Sequence, residues 1–208
     1  VDVPVMVAGR MDEPDMARDA GKSGKWQMIG LGRPALADPY LVAKLEKNQP
    51  ERIRHCISCN YGCITNIFNK STVWCAINPQ CYAERRNALR PVLKKKKVVV
   101  VGGGPAGMEA ALISAVRGHE VTLYEKTDHL GGNLVYAGAT LYKHHILELI
   151  EWFKTEMNNH GVRIVMNHEM TAGELEDQHA DVVFIASGSK ARPFHIPGTD
   201  KDHVFYAP

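Results

Sequence analysis

The stretch "KKVVVVGGGPAGMEAALISAVRGHEVTLYEK", residues 96–126, admits very few folds. Four consecutive valines, Val98 to Val101, read as a buried strand, and Gly102, Gly104 and Gly107 follow as G-x-G-x-x-G into an alanine-rich helix. The first glycine permits a tight turn, the second lets backbone approach a pyrophosphate, and the third lets helix lie close on strand. The helix N-terminus adds unpaired N–H groups and a partial positive charge. A second strand, "VTLYE", ends on Glu125, eighteen residues after Gly107, where a carboxylate can accept from ribose hydroxyls. The glycine pattern alone is also met in plain structural turns. Strand, glycines, helix, strand and acid together predict a Rossmann-like α/β domain that binds a dinucleotide.

The rest of the 208 residues divides into blocks of different grammar. From residue 1 to 49, "VPVMVAG" and "QMIGLG" read as strands, and "DEPDMARDAGKSG" reads as a helix with an acidic first turn. "ADPYLVAKLEKN" reads as a second helix, with Asp38 as N-cap, Pro39 in the first turn and Leu41, Val42 and Leu45 on one face. Strand, helix, strand, helix is the pattern of a parallel sheet, and two such units cannot close a core alone. Residues 50–93 show little periodicity and hold all five cysteines, so they are expected to form loop. Residues 94–208 carry the glycine turn, then "ELIEWFKTEMNNHGVRIVMN" as helix and strand and "ADVVFIASGS" as another strand. Lys94 to Lys97 form the only dense charge block and read as a solvated approach to that domain.

Cys56, Cys59, Cys63 and Cys75 are spaced C-x2-C-x3-C-x11-C. Thiolates at such spacing suit soft metals, as a tetrahedral zinc or the corners of an iron–sulfur cube. Spacing alone leaves both open, with incidental thiols a third reading. Clustered cysteines without a recognisable leader point to a reducing cytoplasm rather than a secreted disulfide scaffold. A formal net charge of +2 without a basic stripe argues against nucleic acid. No apolar run approaches the ~20 residues that span a bilayer.

Beyond Glu125, Gly131 and Gly132 form a second glycine pair, and Ala186-Ser187-Gly188 leads to a proline-rich exit. This combination resembles the two-dinucleotide-binding flavoprotein reductases, with Ser187 where Ala-Thr-Gly is usual. No second G-x-G-x-x-G follows, so the nicotinamide domain of that family is expected to lie outside the chain. "CISCNYGC" and "WCAINPQC", preceded by "IGLGRPALADPYL" and followed by "VVVVGGGPAGMEAA", sharpen the likeness. Essentially the whole chain resembles the 2,4-dienoyl-CoA reductase and enoate reductase group of the Old-yellow-enzyme branch, with trimethylamine dehydrogenase a more distant relative.

The resemblance implies an α/β fragment in three parts. These are the last two β/α units of an FMN-binding (β/α)8 TIM barrel (1–49), a [4Fe-4S] cysteine segment with linker (50–93) and an incomplete FAD-binding domain (94–208). It implies Cys56, Cys59, Cys63 and Cys75 as cluster ligands and leaves Cys81 outside the pattern. It implies Arg10, Gly32 and Arg33 at the FMN phosphate. For FAD it implies Gly102, Gly104, Ala106, Gly107, Glu125, Asn133, Lys143 and Met170. The parent protein would pass electrons from NAD(P)H through FAD, cluster and FMN to the C=C bond of an α,β-unsaturated carbonyl or enoyl-CoA compound. Amine dehydrogenation or acyl- or steroid-thioester desaturation are the alternatives within the family. A zinc-stabilised nucleotide-binding module without redox activity is the alternative outside it. The proton donor is expected upstream of Val1, so no catalytic residue is nominated, and the fragment alone is expected to be inactive. The ten histidines, including His144 and His145, are expected in surface or capping roles.

Overall fold

The computed structural model describes residues 2–190, 192 and 196–205. The proline-rich exit around Pro193 therefore lies outside the described residues, as does Val1. Two compact units divide the chain: residues up to Arg90 with Lys154–Glu156, and Pro91–Phe153 with the residues from Met157 on.

In the first unit, strand β1 (Met6–Ala8) leads to helix α1 (Pro14–Lys22), strand β2 (Met28–Gly30) and the short helices α2 (Arg33–Ala37) and α3 (Leu41–Glu46). β1 and β2 pair in parallel with Met6 opposite Met28 and Ala8 opposite Gly30. Their C-terminal ends, followed by Arg10 and Arg33, therefore emerge on one side. Met6 and Met28 are exposed, so this two-stranded sheet buries little by itself. One helix was expected across residues 37–48, with Asp38 as its N-cap. The structure instead ends α2 at Asp38 and shortens the expected helix to α3, with Tyr40 rather than Asp38 at its N-cap. Asp38 ends α2 because its carboxylate is used elsewhere. Oδ1 accepts from the Tyr40 N–H at 3.0 Å, and Oδ2 accepts from Lys44 Nζ at 2.6 Å and the Arg54 N–H at 2.9 Å.

The cysteine segment carries one short helix the sequence pattern missed, α4 (Ile64–Phe68), with Cys63 at its N-cap. The segment is held by side-chain bonds to backbone rather than by an apolar core. Arg54 donates from Nε to the Ala37 carbonyl (3.1 Å) and from Nη1 to the Ile77 carbonyl (2.8 Å), and Asn78 Nδ2 donates to the Leu36 carbonyl (2.8 Å).

The second unit is a four-stranded parallel sheet in the order β5-β4-β3-β6, from β3 (Lys97–Val101), β4 (Glu120–Tyr124), β5 (Arg163–Val165) and β6 (Val182–Ile185). Its helices are α5 (Pro105–Val116), α6 (Asn133–Ala137), α7 (His144–Asn159) and α8 (Ala172–Asp177). Val98, Val99 and Val100 are buried in the central strand, as a strand covered on both faces requires. Met108, Ala111 and Leu112 of α5 and Leu149, Ile150, Trp152 and Phe153 of α7 complete the core. β6 is an edge strand and leaves Phe184 and Ile185 exposed.

Lys94, Lys95 and Lys96 are exposed, in keeping with a solvated approach. One expectation fails: His145 is 2% exposed, not a surface residue, and its Nδ1 lies 2.6 Å from Glu148 Oε2. Helical spacing explains it, because His145, Leu149 and Trp152 share the buried face of α7. Helix α8 was also unanticipated, although its signal is plain in the sequence. Thr171 and Glu174 form a capping box in which each side chain bonds the other's backbone N–H.

Thr171→Ala removes that cap and is expected to destabilise the chain by about 1 kcal/mol, read as a lower urea midpoint of unfolding, while Thr171→Ser retains most of the wild-type value.

Candidate cofactor sites

In the second unit, the turn after β3 is shaped by what surrounds each glycine. Gly102 has φ +108, and a Cβ there would collide with the Ala186 carbonyl. A Cβ on Gly107 would overlap the Gly102 carbonyl, so only glycine lets α5 lie this close to the strand. Gly104, the N-cap of α5, differs: a Cβ there meets nothing within 4 Å. Among the described residues no neighbour requires glycine at that position. The open space lies at the N-terminus of a twelve-residue helix, a fitting place for a phosphate group.

The second glycine pair folds back onto the first. The Gly131 N–H donates to the Gly103 carbonyl at 2.9 Å, and a Cβ on Gly132 would stand 3.2 Å from Gly104 Cα. Asn133, the first residue of α6, is thereby brought beside the turn. Ala106 is exposed in the first turn of α5. Lys143 is exposed at the end of a 3-10 turn, and Met170 is half-buried before α8. Among the described residues neither bonds to the glycine turn.

Glu125 is 9% exposed, and both its oxygens are engaged. Oε2 accepts from the Gly103 N–H at 2.6 Å, and Oε1 accepts from the Thr127 N–H at 2.8 Å and hydroxyl at 2.9 Å. Burial pushes its pKa up, but the N–H groups of Thr127 and Gly103 and the Thr127 hydroxyl outweigh it and hold the carboxyl below its ordinary range. The acid thus latches the turn, and Oε2, with a single donor, keeps lone-pair capacity for a ligand hydroxyl.

In the first unit, Cys56, Cys59, Cys63 and Cys75 line one cavity. All five cysteines are free thiols; Cys81 is buried and does not line that cavity. The backbone N–H of Ser58 faces the Cys56 sulfur, and those of Ile77 and Asn78 face the Cys75 sulfur. Burial nevertheless pushes both thiols up, and it pushes Cys81 to about 11. Four convergent thiols with N–H donors aimed at sulfur fit a thiolate-held metal group, whose negative charge such donors stabilise. Trp74 packs over Gly62, where a Cβ would come within 2.5 Å of the indole, and meets Tyr61 edge-on at 5.2 Å between ring centres. Trp74 lines the cavity and Tyr61 packs on it; neither gave a periodic signal in the sequence.

Arg10 and Arg33 join the same neighbourhood. Arg10 Nη1 donates to Ser58 Oγ at 3.4 Å, and Arg33 Nη1 donates to Asn60 Oδ1. Arg33 also lines the cysteine cavity. Asp15 is paired with Arg18 and Asp38 with Lys44. Gly32 is exposed immediately before Arg33. Both arginines keep donors for a phosphate, which a guanidinium fork suits.

Glu125→Gln is expected to lower stability by about 1–3 kcal/mol at neutral pH, because the latch loses its charge. A carboxyl held below its ordinary pKa contributes stability above that pKa and loses it as pH falls through the folded value. Urea melts of the chain and its Glu125→Gln variant should therefore differ at pH 7 and converge in acid below the ordinary carboxylate pKa of 4.5.

Comparison with known proteins agrees with this geometry. Residues 96–207 match the family model described as pyridine nucleotide-disulphide oxidoreductase. The chain is 43% identical over 201 residues to a cinnamate reductase of Clostridium sporogenes, covering 97% of this chain and 30% of that protein. It matches the structure of a 2-naphthoyl-CoA reductase in complex with 2-naphthoyl-CoA at a TM-score of 0.90 and 37% identity, over 97% of this chain and 31% of that one. It matches a histamine dehydrogenase from Rhizobium sp. 4-9 at 0.84 and 31%, over 91% of this chain and 28% of that one. The chain spans about a third of the length of the curated relatives it matches. No helix among the described residues is long and apolar enough to cross a membrane. Glycine turn, cysteine cavity and likeness over nearly the whole chain converge: it belongs to the pyridine nucleotide-disulphide oxidoreductases, and its relatives include enoate reductase-like flavoenzymes.

Proposed function

We propose that the chain is the electron-carrying middle of an NAD(P)H-dependent reductase acting on the C=C bond of an α,β-unsaturated carbonyl or enoyl-CoA compound. In this reading FAD is held at Gly102, Gly104, Ala106, Gly107, Glu125 and Asn133, with Lys143 and Met170 further along its length. A [4Fe-4S] cluster is held by Cys56, Cys59, Cys63 and Cys75, and the phosphate of FMN by Arg10, Gly32 and Arg33. When bound, two flavins and a cluster supply the exchange between hydride and single-electron transfer. Residues 1–49 are proposed as the end of a barrel, because β1 and β2 form a parallel pair too small to bury a core. Residues 50–93 would be the cluster segment and residues 94–208 the FAD domain.

The single observation that carries this reading is one cavity lined by four cysteines and Arg33. A thiolate metal site is thereby adjacent to the residue assigned to the flavin phosphate. The protein's work is then positional. Arg54 and Asn78 hold the cysteine segment against α2, Glu125 latches the pyrophosphate turn, and Trp74 over Gly62 covers the cavity. The likeness to a histamine dehydrogenase favours amine oxidation as the second reading, with the same cofactor residues and a different substrate.

Full-length protein purified anaerobically is expected to carry about four iron atoms per chain with equivalent FAD and FMN. Cys75→Ser should lose iron, whereas Cys81→Ser should keep it. Zinc without iron in the wild-type protein would overturn the relay and favour a structural zinc module. NAD(P)H-dependent reduction of cinnamate-type enoates supports the first substrate reading, and turnover only of alkylamines supports the second.

A further inference from the structure

Cys59 sits between two residues of left-handed backbone, Ser58 at φ 56 and Asn60 at φ 58. Each accepts a hydrogen bond from an arginine that follows a strand: Ser58 from Arg10 after β1, Asn60 from Arg33 after β2. The two arginines are not equivalent. Arg10 is exposed, whereas Arg33 is half-buried and is the one charged side chain lining the cysteine cavity among the described residues. Arg54, also near Cys75, is committed to the carbonyls of Ala37 and Ile77 and serves as framework.

We propose that Arg33 is a positioning residue that sets the reduction potential of the metal group in the cysteine cavity, and that Asn60 aims it. This rests on the reading of the four cysteines as cluster ligands. A cubane held by four thiolates is anionic before reduction, and reduction adds one electron and no proton, so its negative charge grows. A guanidinium beside the cavity stabilises the reduced form more than the oxidised form, and a half-buried site screens that attraction less than bulk water does. The Asn60 carbonyl oxygen fixes the guanidinium beside Cys59 rather than leaving it to swing into solvent. Because Arg33 follows β2 and Asn60 lies in the cysteine loop, the same contact ties the proposed flavin-phosphate end of the sheet to the cluster.

The test is a dithionite redox titration of full-length protein followed by the electron paramagnetic resonance of the reduced cluster, with iron content measured on every sample. Arg33→Gln is expected to keep its iron and shift the midpoint to lower potential. At the poise where half the wild-type clusters are reduced, its reduced-to-oxidised ratio should fall about tenfold, the change that one 59 mV step makes in a one-electron couple. Arg33→Lys should restore most of the wild-type midpoint, and Asn60→Ala should shift it in the same direction by less. Arg10→Gln, which removes the exposed arginine of the proposed flavin-phosphate pair, should leave the midpoint in place, separating lost charge at the cavity from lost flavin. An unchanged midpoint in iron-loaded Arg33→Gln overturns the inference alone. So does an Arg10→Gln shift as large as that of Arg33→Gln, or iron lost from both Arg33→Gln and Arg33→Lys. A wild-type protein without a cluster signal overturns the cofactor reading and the inference with it.

Discussion

The first unit depends on one buried carboxylate. Asp38 is 2% exposed and accepts from the backbone N–H groups of Tyr40 and Arg54 and from the ammonium of Lys44. Those bonds turn the chain after α2, start α3 and pin the first residues of the cysteine segment. A buried carboxylate is costly unless its oxygens are filled, and here three donors fill them. From that anchor the network spreads through Arg54 and Asn78 to the carbonyls of Leu36, Ala37 and Ile77. A segment that buries few of its apolar side chains is thereby given a defined shape, in which four thiols can converge.

The second unit is stabilised differently. Its sheet and helices bury a continuous apolar core, and the glycine turn is held by polar contacts at Gly103, whose N–H donates to Glu125 and whose carbonyl accepts from the Gly131 N–H. Apolar packing tolerates repacking at similar volume, whereas the turn tolerates nothing at Gly102 and Gly107, where backbone touches backbone. Gly104 is the exception that points outward: its space is unfilled by protein and available to a ligand. The two units thus present their proposed cofactors by different means, one through a hydrogen-bonded loop and the other through a close-packed turn.

Much of the second unit was legible beforehand because its signals are local. Val98 to Val101, the glycine spacing and the strand before Glu125 each declare themselves within a few residues, and all take the expected conformation. Thr171 and Glu174 were equally local but went unread. Asp38 was misjudged because its N-cap spacing is a local preference, and its carboxylate, besides the nearby Tyr40 N–H, serves the more distant Arg54 N–H and Lys44 ammonium. His145 was misjudged because a pair of adjacent histidines suggests surface, while the helical repeat turns only one of them inward.

The amino-acid sequence by itself determined the parallel α/β grammar, the phosphate-type turn and the four clustered thiols, since each follows from residue type and short spacing. The tertiary structure alone decided that Cys75 joins the other three around one cavity, that Trp74 covers Gly62 and that Arg33 reaches Asn60. These contacts join residues from twelve to twenty-seven positions apart, Trp74 to Gly62 and Cys75 to Cys63 at one end and Arg33 to Asn60 at the other. No periodicity encodes such distances; they are set by how the loop is pinned at Asp38, Arg54 and Asn78.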